Sequence, residues 1–123
     1  MNWDELSFDF NSTGGENLRR YYKNGEWSAP EWTTSEYIPV HMCSSCLNYG
    51  LQAFEGIKAF RGVDGKVRIF RPYAHAARMA SGARKLCLPM VSADEFVEAC
   101  VEVVRRNLDF LPPYGSQAAL YVR

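Results

Sequence analysis

The clearest pattern along the chain lies between Leu47 and Phe70, in LNYGLQAFEGIKAFRGVDGKVRIF. Ala53, Glu55, Ile57 and Ala59 alternate with Phe54, Gly56, Lys58 and Phe60, the period-two rhythm of a strand. Val63-Asp64-Gly65-Lys66 follows, and its Asp-Gly pair predicts a tight hairpin turn. Val67, Ile69 and Phe70 supply a β-branched and aromatic return. A buried face and a hairpin register together decide where Tyr49, Phe54 and Lys58 point.

The flanking segments carry weaker patterns. Residues 1–17 contain Asn-Ser-Thr-Gly-Gly and read as an irregular arm ordered by a partner surface. Residues 19–23 form a strand candidate, Asn24-Gly25 a turn, and Glu26-Trp27-Ser28 a return that Pro30 interrupts or confines to an edge. Ser35 to His41 reads as a further strand, weakened by Pro39. Arg71-Pro72 opens a helix, with proline suited to the first turn. Its apolar face is Tyr73, Ala76, Ala77, Ala80 and Ala83. Ser92 and Glu95 form a capping box for a second helix running to about Leu108. Phe96, Val97, Cys100, Val101, Val104 and Leu108 make its apolar face, and Pro112-Pro113 closes the region. Ala118 to Arg123 reads as a last strand. A chain ending inside a strand leaves an open edge, so the sequence reads as truncated. The fold class is α+β: a mostly antiparallel sheet packed with two helices.

Composition narrows the function classes. A length of 123 residues suits one domain, and 47% hydrophobic residues supply a small core. Fourteen basic and fourteen acidic side chains cancel, which argues against nucleic acid or an anionic membrane as partner. No apolar run approaches the ~20 residues of a membrane span. The first ten residues lack the layout of a signal peptide, so the cytoplasm is the expected compartment and reduced thiols the expected state of the four cysteines. Cys43-Ser-Ser-Cys46 has redox or zinc spacing but lacks the further ligands or the βαβ context, and it reads as two ordinary thiols. His41 and His75 show no triad or metal spacing, and no metal is expected.

The order of LNYGLQAFEGIKAFRGVDGKVRIFRP, HAARM and ALYVR resembles the N-terminal domain of branched-chain amino-acid aminotransferases, pyridoxal-phosphate (PLP) enzymes of fold type IV. The resemblance covers about residues 18–123. It implies the small domain of such an enzyme, with the larger domain that carries the Schiff-base lysine absent. No catalytic residue is then expected in this chain, which should be inactive alone. Lys58 is not taken as that lysine; it falls at a basic position after FEGI.

Read alone, Arg78 is a solvated helix arginine. HAARM matches the place where the resembling family holds the PLP phosphate with arginine, whose planar fork suits phosphate. Tyr49 and Phe54 match positions lining the apolar substrate pocket. Tyr121 and Arg123, two apart on a strand, face one side. They match a Tyr-x-Arg of the same pocket, where arginine gives glutamate's distal carboxylate a partner. The implied reaction passes an amino group from leucine, isoleucine or valine to 2-oxoglutarate in a homodimer. Other readings are a D-amino-acid aminotransferase, an aminodeoxychorismate lyase, or a non-catalytic binding domain of the same fold.

Overall fold

The computed structural model describes Trp3 and residues 14–123; most of the expected N-terminal arm lies outside the described residues. Asn17, assigned to that arm, already belongs to the first strand. β1 (Asn17–Arg19) pairs antiparallel with β4 (Glu31–Thr33), joining Leu18 to Trp32. β2 (Tyr22–Lys23) pairs with β3 (Glu26–Trp27). Asn24 and Gly25 both adopt positive φ, 54° and 89°, as a two-residue hairpin turn of the primed type requires. The two ladders are one long hairpin interrupted in the middle. There Ser28 replaces ladder pairing with its own bonds: its amide donates to the Tyr21 carbonyl at 2.8 Å, and its Oγ accepts from the Tyr21 amide at 2.9 Å. The interruption expected from Pro30 is present.

The strand expected over residues 35–41 does not form. Tyr37 and Ile38 are 83% and 65% exposed, so no face of the segment is buried among the described residues. Pro39 removes a ladder donor at its centre. Beyond it lies α1 (Ser45–Asn48), a four-residue helix that the sequence pattern did not announce.

β5 (Ile57–Arg61) is the centre of a three-stranded antiparallel sheet, between β6 (Val67–Ile69) and β7 (Leu120–Val122). Ala59 faces Ile69 on one side and Leu120 on the other. The strand is shorter than its alternation suggested, because residues 53–56 have no ladder partner. The alternation of faces still holds: Glu55, Ile57 and Ala59 are buried, while Phe54, Lys58 and Phe60 are exposed. The β5–β6 turn closes through Gly62, whose amide bonds the Lys66 carbonyl at 2.8 Å, and through Gly65 at φ 73°.

Two helices cover the buried face. α2 (Pro72–Lys85) packs against α3 (Ala93–Arg106), and α3 against β7 and β1. Ala76 and Ala83 are the fully buried residues of α2; Tyr73 and Ala77, expected on the same face, are exposed. The α3 capping box is present. Ser92 Oγ accepts from the Glu95 amide at 3.2 Å, and Glu95 accepts from the Ser92 amide at 3.0 Å. Cys100 and Val104 are buried, whereas Val101 is half exposed. α3 stops at Arg106, and Leu108–Phe110 continues as a 3₁₀ turn. Ala59, Val104 and Leu111 form the core, with Val67, Ile69, Leu120 and Val122 packed around them.

Candidate functional site

The end of β5 and one face of α2 enclose an open groove of about 520 Å³. Ala53, Phe54, Glu55 and Gly56 line it from the strand entry, Arg78, Met79 and Gly82 from α2, and Tyr121 from β7. The register sets its Tyr121 side. Lys58 pairs with Tyr121 and Ile57 with Val122, so Tyr121 and Arg123 lie on the face shared by Phe54, Gly56 and Lys58. Tyr121 lies directly over Gly56. A Cβ there would sit 2.8 Å from Cε2 and Cζ of the tyrosine ring, so only glycine permits this approach. Arg123 lies beside the Phe54 ring, its Cζ 5.9 Å from the ring centroid. Phe54 is 74% exposed and forms an apolar wall on the solvent side.

Arg78 projects from the middle of α2 and is not simply solvated. Its Nε donates to Glu55 Oε2 at 2.7 Å, and its Nη2 binds Glu55 Oε1. This is a two-pronged arginine–carboxylate pair. Glu55 is buried, and its Oε1 also accepts from the Gly56 amide at 2.8 Å. His75, one turn before Arg78 on α2, brings Nδ1 to 3.1 Å from the same oxygen. The Arg78 hydrogen bond is the main reason the Glu55 carboxyl is held down at about 2. Burial works in the opposite sense, and the Gly56 amide and His75 add to the lowering. The same carboxylate raises the arginine's affinity for its proton. Arg78 keeps its Nη1 edge without a described partner, and its side chain is 70% exposed.

The residues expected at a site thus divide into two groups. Phe54, Arg78 and Tyr121 line one groove, with Arg123 against Phe54 at its rim. Tyr49 ends α1, is 83% exposed, and is not among the lining residues. Lys58 is exposed and does not line the groove. Sequence reasoning passed over Glu55 and His75. The signals were present: Glu55 shares its strand face with Ile57 and Ala59, and His75 precedes Arg78 by three helical positions. No cluster of metal-ligating side chains occurs among the described residues. The thiols are free; burial pushes the Cys100 thiol up to about 11.

The whole chain aligns with a branched-chain-amino-acid aminotransferase of Haemophilus influenzae at 42% identity over 123 residues. Along its full length, the chain is related to the branched-chain-amino-acid aminotransferases. A branched-chain amino acid aminotransferase of Glarea lozoyensis is 40% identical over 124 residues, and one of Helicobacter pylori 37% over 123. The chain spans about a third of the length of these relatives, 36%, 35% and 36% respectively. No family model matches the chain. The α+β fold with antiparallel sheets agrees with the architecture expected from the resemblance. No helix among the described residues is long and apolar enough to cross a membrane.

Proposed function

We propose that residues 18–123 are the small N-terminal domain of a branched-chain amino-acid aminotransferase of fold type IV, with residues 1–17 as an arm. The enzyme moves the amino group of leucine, isoleucine or valine to 2-oxoglutarate, using PLP, as a cytoplasmic homodimer. The observation that carries this reading is the convergence of Phe54, Arg78 and Tyr121 on one groove, with Arg123 at its rim. Those residues come from three separate segments of the sequence.

The side chains present fit a phosphorylated cofactor. Arg78 is anchored through Nε and Nη2 and keeps Nη1 open, and the N–H groups there suit a phosphate oxygen. When bound, PLP supplies the electron sink that makes the amino acid's Cα–H acidic. The chain's own part is binding and shaping. Arg78 holds the phosphate. Phe54 and the Tyr121 ring present an apolar wall to an aliphatic side chain, which leaves no polar group unpaired. Arg123, beside that wall, gives the distal carboxylate of glutamate a cation that leucine can ignore. Tyr49 is assigned to the substrate side by the resemblance alone.

In the full-length enzyme, Arg78→Ala is expected to weaken PLP binding ten- to a hundredfold, the scale of a lost charge-assisted contact of about 1.5–3 kcal/mol. Titration of the apo-enzyme with PLP measures it. Unchanged affinity would remove Arg78 from the cofactor site.

A further inference from the structure

Glu55 is the one carboxylate in the groove, and it lies beside the arginine assigned to an anionic cofactor group. By charge alone, a buried carboxylate there opposes phosphate binding. Four contacts converge on the Glu55 carboxylate: Arg78 Nε and Nη2, the Gly56 amide and His75 Nδ1. The carboxylate is fixed by the backbone and buried, whereas Arg78 is a long side chain on a helix surface. Glu55 takes Nε and Nη2, so the guanidinium plane is set and only the Nη1 edge remains open.

We propose that Glu55 is a positioning residue for the cofactor phosphate, acting through Arg78: it orients the guanidinium so that its free edge faces the phosphate. The proposal rests on the assignment of Arg78 made above and extends it to a residue that acts through that side chain. Orientation, not charge, is the effect. Removing Glu55 takes one negative charge from the site, which by charge alone would tighten phosphate binding. The proposal requires the reverse, because a guanidinium without its anchor samples several rotamers and loses preorganisation.

The test uses the full-length apo-enzyme titrated with two probes, pyridoxal phosphate and pyridoxal, followed by fluorescence. Glu55→Gln should weaken pyridoxal phosphate about tenfold, the scale of one charge-assisted hydrogen bond, and change pyridoxal less than about twofold. In an Arg78→Ala background the same substitution should have no further effect, since Glu55 acts only through that side chain. Should Glu55→Gln fail to fold, Glu55→Asp keeps the charge but withdraws the carboxylate by one methylene, and it should show the same phosphate-selective loss. Equal losses for both probes, additive losses in the double variant, or tighter binding of pyridoxal phosphate would each overturn the proposal. If Arg78→Ala weakens pyridoxal phosphate while Glu55→Gln does not, the positioning role fails and the assignment of Arg78 stands. If Arg78→Ala has no effect, both fail.

Discussion

Gly56 shows how one residue's absence of a side chain shapes the groove. Tyr121 occupies the space a Cβ would need. Gly56→Ala must therefore displace the Tyr121 ring or the strand entry from this packing. In the full-length enzyme kcat/KM for leucine is expected to fall about ten- to a hundredfold, or ~1.4–2.8 kcal/mol of transition-state binding. Steady-state kinetics measure this. An unchanged value would mean that Tyr121 does not form the substrate wall. This closeness was not legible in the sequence, because it depends on a register between segments 65 positions apart. The shared face of Tyr121 and Arg123 was legible, because two-residue spacing on any strand produces it. The face of Glu55 was legible, but its pairing with Arg78 was not. The alternation groups it with Ala53, Ile57 and Ala59, and Glu55, Ile57 and Ala59 are buried. Its partner lies 23 positions away on another element.

At the scale of elements, local chemistry decided most of the outcome. The capping box, the Asn-Gly and Asp-Gly turns and Pro72 each act through neighbouring atoms, and each appears where the sequence placed it. Segment 35–41 failed because a strand needs a partner as well as a pattern. Asn107 shows the same limit from the other side. It caps the end of α3 and is buried, a position an apolar periodicity would assign to no polar residue. Its Oδ1 accepts from the Glu16 amide at 2.9 Å, and its Nδ2 donates to the carbonyls of Glu16 and Val103, both at 2.8 Å. These bonds tie the start of β1 to the helix, and Arg106 reinforces them by reaching Glu16 at 3.1 Å and lying over the Trp32 ring. Asn107→Ala should destabilise the protein by about 1–3 kcal/mol, since it leaves part-buried backbone groups of Glu16 unpaired. Urea unfolding measures the loss. A change within ~0.5 kcal/mol would show that water replaces the amide.

For the molecule as a whole, the pairing of buried Glu55 with exposed Arg78 ties stability to pH. The carboxyl titrates near 4.5 when unperturbed and near 2 in the folded chain. A lowered folded value means that the stabilisation is complete above about pH 4.5 and is lost as pH falls toward 2. Because Arg78 is largely exposed, solvent screening reduces the contribution to about 1 kcal/mol or less. Thermal melts from pH 6 down to pH 2.5 should fall more steeply for the unaltered protein than for Glu55→Gln. Parallel curves would assign the acid sensitivity to other carboxylates, such as Asp64 with its Arg68 partner.

The same groove sets what residues 1–123 can do without further protein. Transamination needs an amine that bonds the cofactor's carbonyl carbon and a base that moves the substrate's Cα proton. The lining residues supply neither function in a usable form. No lysine is among them. Glu55 is the one carboxylate there, and Arg78 keeps it ionised far below neutral, so it is a poor proton acceptor at physiological pH. Arg78 is a permanent cation. On the assignments proposed above, the groove offers a phosphate contact and an apolar wall, which are binding features. Purified residues 1–123, incubated with PLP, leucine and 2-oxoglutarate, are therefore expected to form no glutamate above the rate of free PLP. The solution should also lack the absorbance band of PLP bonded to a protein lysine. Glutamate formation accompanied by that band would show that a lysine of this chain performs the chemistry. Lys58, on the face that carries Tyr121, would then be the first to replace.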